Sequence, residues 1–181
     1  MRSARFNQFY GHCIALGGIC QSWAALVRLN LRPCHASVKW NCTRFVLAAI
    51  HLLYYTLNQS DGGEAITAEE WAVLSKRELL STAEIDQIRA AGSAVIIPLM
   101  WALSEVEHAL QHECNGLKEA VAGGGYYSEV RMVDTLGEFR HLAFEMRGHC
   151  GQITNWLKNP VSLPLCPHPS PDALHTVGPR T

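Results

Sequence analysis

The sequence predicts an all-α fold, and three observations carry the prediction. Apolar residues recur at steps of three and four through two long stretches, which keeps one stripe on one helical face. Two Ser/Thr-x-x-Glu boxes mark helix starts between the long stretches. Nowhere do apolar and polar residues alternate for long enough to make a strand.

In chain order, residues 5–29 read as a helix apolar on most sides, through Ile14, Ala15, Leu16, Ile19, Trp23, Leu26 and Val27. Gly17 and Gly18 weaken its middle, and Pro33 marks a break. A second helix is expected over 38–57, with a face broad enough to be buried on more than one side. Asp61-Gly62-Gly63 is a loop. Thr67 with Glu70 opens a short helix bearing Trp71, Val73 and Leu74. Ser81 with Glu84 opens another through Ile85 and Ile88, ended by Gly92-Ser93. Over 95–118, Ile96, Leu99, Leu103, Val106, Leu110, Cys114 and Leu117 form one stripe, with Pro98 tolerated near the helix start. A glycine loop at 122–125 precedes a last helix over 128–157. Its expected stripe is Val130, Val133, Leu136, Phe139, Ala143, Met146, Cys150, Ile153 and Leu157. The chain divides into residues 1–160, one helical region, and 161–181, a Pro-rich tail that cannot continue the helix.

Composition narrows the function. The charged fraction is 17%, below the ~25% of an ordinary soluble domain. The net charge of −1 shows no basic excess, so nucleic acid is not expected as a partner. Seven cysteines without a C-x-x-C pair argue against a zinc ribbon or disulfide framework and for reduced thiols. In that setting the sequons at Asn41 and Asn58 are accidental. No run reaches the ~18 apolar residues of a membrane-spanning helix; the best candidate is Phe45 to Leu57.

No catalytic, cofactor or metal residue is expected. Glu105, His108 and His112 share a helical face and are a plausible ligand set by type. That face lies opposite the apolar stripe, and no second Glu-x-x-His supplies a matching helix, so a solvated polar face is the reading. His149 and Cys150 point about 100° apart on a helix, which keeps the imidazole from activating its neighbour's thiol. Cys34-His35 with Cys42 matches no metal-binding spacing. Gly123-Gly124-Gly125 lacks the lysine ending of a phosphate loop. Phe6, Phe9, Tyr10 and Trp23, without interleaved cations, suit core or membrane-interface packing.

Four blocks in order resemble one family, the bestrophin anion channels. Arg5-Phe6-Asn7-Gln8-Phe9-Tyr10 is similar to the family's R-W-W-N-Q-Y, one aromatic short. Leu79-Leu80-Ser81-Thr82-Ala83-Glu84 is similar to F-M-T-P-A-E, with Thr82 in place of proline. Ile97-Pro98-Leu99-Met100-Trp101-Ala102 is similar to W-V-P-W-V-W-F. Arg147-Gly148-His149-Cys150-Gly151, then Asn155-Trp156 and Pro160-Val161, is similar to R-x-x-C-G followed by D-W-x-x-x-P-L, with Asn155 in place of the acid. The resemblance implies the cytosolic helical layer between the second and third membrane helices of a subunit. It implies a homopentamer around a pore for chloride or bicarbonate, no enzyme activity, calcium as the family's gating ligand, and a membrane location reached through flanking helices. The family's pore neck and calcium clasp map to no numbered position here, and the expectation is a subunit fragment. The alternatives are a soluble all-α interaction module and a metal-dependent helical enzyme built on Glu105, His108 and His112.

Overall fold

The computed structural model describes residues 2–57, 66–92, 94–113 and 129–158. The expected loops at 61–63 and 122–125, Cys114 and Leu117, and the Pro-rich tail lie outside the described residues. Among those described, every regular element is helical, as the periodicity predicts.

Four long helices form the body: α1 (Arg2–Asn30), α2 (Ala36–Leu57), α5 (Ile96–His108) and α6 (Glu129–Lys158). Two short ones, α3 (Ala68–Lys76) and α4 (Thr82–Ala91), join α2 to α5. The most extensive interfaces are α1 on α6 and α2 on α5, and contacts of α5 with α6 and of α1 with α2 close a ring. The direction of α6 can be read from two pairs. His12 meets His149 and Trp23 meets Phe139, so eleven residues forward on α1 match ten backward on α6. The two helices are antiparallel.

Each helix buries the face its sequence marks, with informative exceptions. On α1, Leu16, Ile19, Trp23 and Val27 are buried at helical spacing. Ile14, one of the apolar residues that spread over most sides of α1, is exposed, because it lies about 200° around the helix from Leu16. On α2 the buried set is Cys42, Phe45, Val46, Ala48, Ala49, Leu52 and Leu53, which is the expected broad face. On α5 the buried line is Leu99, Ala102 and Val106, continued by Ala109 and Leu110 just past its end; Ile96 and Leu103 flank it half-buried. On α6, Phe139, Ala143, Met146, Cys150 and Ile153 are buried as expected. Val133 is not: it is 68% exposed, and the hydroxyl-bearing Thr135 is buried in that turn instead.

The expected helix over 95–118 changes pitch before it reaches that limit. From Ala109 to Glu113 it becomes a π-turn, which widens the backbone. Ala109 and Leu110 stay buried through the change.

Both capping boxes are present. Thr67 and Ser81 each accept from the amide of the glutamate three residues on, and each glutamate accepts from the cap's own amide. The residue before each cap and the fourth helical residue are buried together: Ile66 with Trp71, and Leu80 with Ile85. These are the positions of a hydrophobic staple, and they set the angle at which the chain enters each helix. Gly92 ends α4 at φ 68°, where a residue with a Cβ is strained.

Candidate functional site

Three places bring polar or reactive side chains together. The first is a clamp between α2 and α4. Arg44 Nη1 and Nη2 donate to the two carboxylate oxygens of Glu84 at 2.9 and 2.8 Å. Nη1 also donates to the Leu79 carbonyl at 3.0 Å, and Nε to Asn41 Oδ1 at 3.0 Å. The guanidinium carbon lies 4.0 Å above the Phe45 ring. Glu84 Oε2 meanwhile accepts from the Ser81 amide at 2.7 Å. Burial raises the Glu84 carboxyl, but the hydrogen bonds from Arg44 and Ser81 and the guanidinium's charge outweigh it and hold the group below its ordinary value. Four hydrogen bonds of the Arg44 guanidinium run to Asn41, Leu79 and Glu84, so the role of the clamp is to fix α4 against α2.

The second place is the α1–α6 interface. His12 Nδ1 and His149 Nδ1 stand 2.9 Å apart, with ring centroids 5.1 Å apart and tilted by 57°. Next to His149, the Cys150 thiol is pushed up to about 12, first by burial and then by the neighbouring Cys20. Burial also raises Cys13 and Cys20. All three are thiols at neutral pH rather than the thiolates that nucleophilic catalysis needs. Cys150 is therefore a small core residue, and His149 pairs across the interface rather than with its own neighbour. Thiol labelling of the folded chain at pH 8 is expected to leave Cys150 unmodified and to reach it only on denaturation. Mass spectrometry of the digested protein checks this, and ready native labelling would contradict the packing of α6.

The third place is the turn where α5 becomes a π-helix. His108 and His112 are exposed, with ring centroids 4.5 Å apart, and Glu105 is half-buried. Glu107, on the same segment, accepts from Gln111 at 3.3 Å and pairs with Arg140 of α6 at 3.8 Å. Among the described residues no three His, Cys, Asp or Glu side chains converge on a metal position. Cys34 and Cys42 are buried while His35 is exposed and bonded to Ser37 Oγ at 2.9 Å, so this trio is not assembled.

One open depression, about 420 Å³ in volume, lies beside Tyr54, Tyr55, Leu57 and Glu70. Glu70 is already committed to capping Thr67. Of the four aromatics singled out on α1, Trp23 is core and Phe9 is half-buried. Phe6 and Tyr10 are exposed and stacked on each other at 6.4 Å.

Arg44 and the His12–His149 pair are the functional-looking groups that sequence reasoning did not single out. Arg44 had one usable signal: a cation set directly before the apolar run Phe45 to Ile50 of a helix with a broad buried face, where a charge is rarely buried unless paired. The histidines had none, since 137 residues separate them. Comparison with family models, with curated proteins and with solved structures returns no match.

Proposed function

We propose that this chain is the helical region of a bestrophin-like anion-channel subunit, acting in a homo-oligomer that passes chloride or another small anion. One observation supports an assembly. Phe6, Tyr10 and Ile14 are each more than half exposed and lie four residues apart on the outer face of α1. Val133 and Phe144, eleven residues apart, form a second outward apolar line on α6. Large apolar side chains gathered on an outer face mark a contact surface. The four sequence blocks give that assembly its identity by resemblance. Leu79–Glu84 enters α4, Ile97–Ala102 opens α5, and Arg147–Gly151 lies in α6.

No helix among the described residues is long and apolar enough to cross a membrane. Conduction in this reading therefore depends on flanking helices, and the 181-residue chain alone is expected to pass no anion current in planar bilayers. The decisive test is a chimera in which residues 2–158 replace the corresponding helical layer of a bestrophin. Assembly to a pentamer with chloride current is expected. Monomeric chimeras without current, together with a monodisperse monomer of the free chain in light scattering, would overturn the proposal.

A further inference from the structure

We propose that His12 and His149 form a two-histidine site for a late first-row divalent metal ion of the nickel or copper class, stapling α1 to α6. The spacing of the two nitrogens carries the argument. Two imidazole nitrogens each about 2.05 Å from one ion lie about 2.9 Å apart when the angle at the ion is a right angle, and about 3.35 Å apart when it is tetrahedral. The Nδ1 atoms here stand 2.9 Å apart. That is the bite of two adjacent positions in a square-planar or octahedral shell, the geometries of Cu(II) and Ni(II) rather than of structural zinc.

The pair is also held in place. The rings come from different helices of an antiparallel interface, and both residues are half-buried. Leu16, one turn along α1, and Cys150, beside His149, are buried and anchor the two backbones. Without an ion, one Nδ1 must carry a proton and donate it to the other, so only one lone pair is used. An ion uses both, and the proton moves to the far nitrogen, Nε2. The remaining ligand positions fall to water, because the buried Cys150 side chain points about 100° around α6 from His149. The exposed His108 and His112 share one segment, so an ion there would not cross-link two helices. The site does not depend on the channel reading.

Nickel chloride is the probe, since thiols do not reduce Ni(II) as they do Cu(II). Calorimetric titration of the full chain is expected to show one saturable site and a rise in melting temperature. His12→Ala and His149→Ala should each weaken binding by about tenfold or more, and the double variant no further, because the bite needs both rings. His108→Ala should leave binding unchanged. X-ray absorption of the nickel-loaded wild type should show two imidazole nitrogens, a readout that stands even if the alanine variants fold poorly. Absence of saturable binding, a single imidazole in the absorption spectrum, or binding that survives in both alanine variants and is lost in His108→Ala would each overturn the proposal.

Discussion

Trp23→Ala is expected to destabilise the chain by about 3–5 kcal/mol, the largest effect of any single truncation on α1. Trp23 is 1% exposed, its ring meets that of Phe139 in a T-shaped pair at 4.9 Å between centroids, and its indole N–H donates to the Cys42 carbonyl at 2.9 Å. One side chain thus ties α1 to both α6 and α2. Removing it opens a cavity between three helices and deletes a buried aromatic pair, itself worth about 0.5–1.5 kcal/mol. Trp23→Phe keeps most of the volume and the ring contact but loses the hydrogen bond, and should cost about 1–2 kcal/mol. Urea denaturation followed by far-ultraviolet circular dichroism separates the two variants. A cost below about 1 kcal/mol for Trp23→Ala would show that α1 does not pack on α6 as described.

Arg44→Ala is expected to cost about 2–4 kcal/mol, because it strands the Glu84 carboxylate in a largely desolvated place. The side chains are 16% and 19% exposed, which puts the pair between the surface and the fully buried case. Arg44→Lys should recover little, since an ammonium cannot make the two parallel bonds to the carboxylate and still reach the Leu79 carbonyl. A double-mutant cycle with Glu84→Gln isolates the coupling, and a coupling near zero would reduce the clamp to an ordinary surface pair. The pH dependence has a definite sign. The folded Glu84 carboxyl sits below its ordinary value of 4.5, so the unfolded chain takes up the proton first as pH falls. The clamp's contribution is complete above about pH 4.5 and is lost as pH drops through the lowered folded value. Acid titration of the denaturation midpoint should show this loss in the wild type and not in Glu84→Gln.

The features legible in the sequence are the local ones. Thr67 with Glu70 and Ser81 with Glu84 close their hydrogen bonds within four residues, and both boxes are where the motif puts them. The broad apolar face of α2 and the Phe139–Ile153 line of α6 are likewise set by neighbours along one helix. Failures begin where packing between helices decides. Val133 fits the stripe by spacing, yet the neighbouring helices cover Thr135 instead, and a polar residue leaves no mark on a hydrophobic pattern. Ile14 and the Phe6–Tyr10 pair suit an interior by residue type because α1 is apolar nearly all round, and only the location of α6 tells its inner face from its outer one. The π-turn at Ala109–Glu113 has no composition signature at all. The candidate sites divide the same way. His149 and Cys150 could be separated by helix geometry alone, whereas the approach of His12 to His149 required the whole antiparallel register.

That register has a consequence for how the chain is made. Trp23 leaves the ribosome 116 residues before the Phe139 it must pack against. At the ~5–20 residues per second of protein synthesis, the inner face of α1 waits on the order of 6–23 s for its counterpart. Throughout that interval Leu16, Ile19, Trp23 and Val27 present a greasy strip to the cell without the helix that will cover it. The arrival of α6 is therefore a commitment step in biogenesis, and the nascent first helix is a natural client for holding chaperones until then.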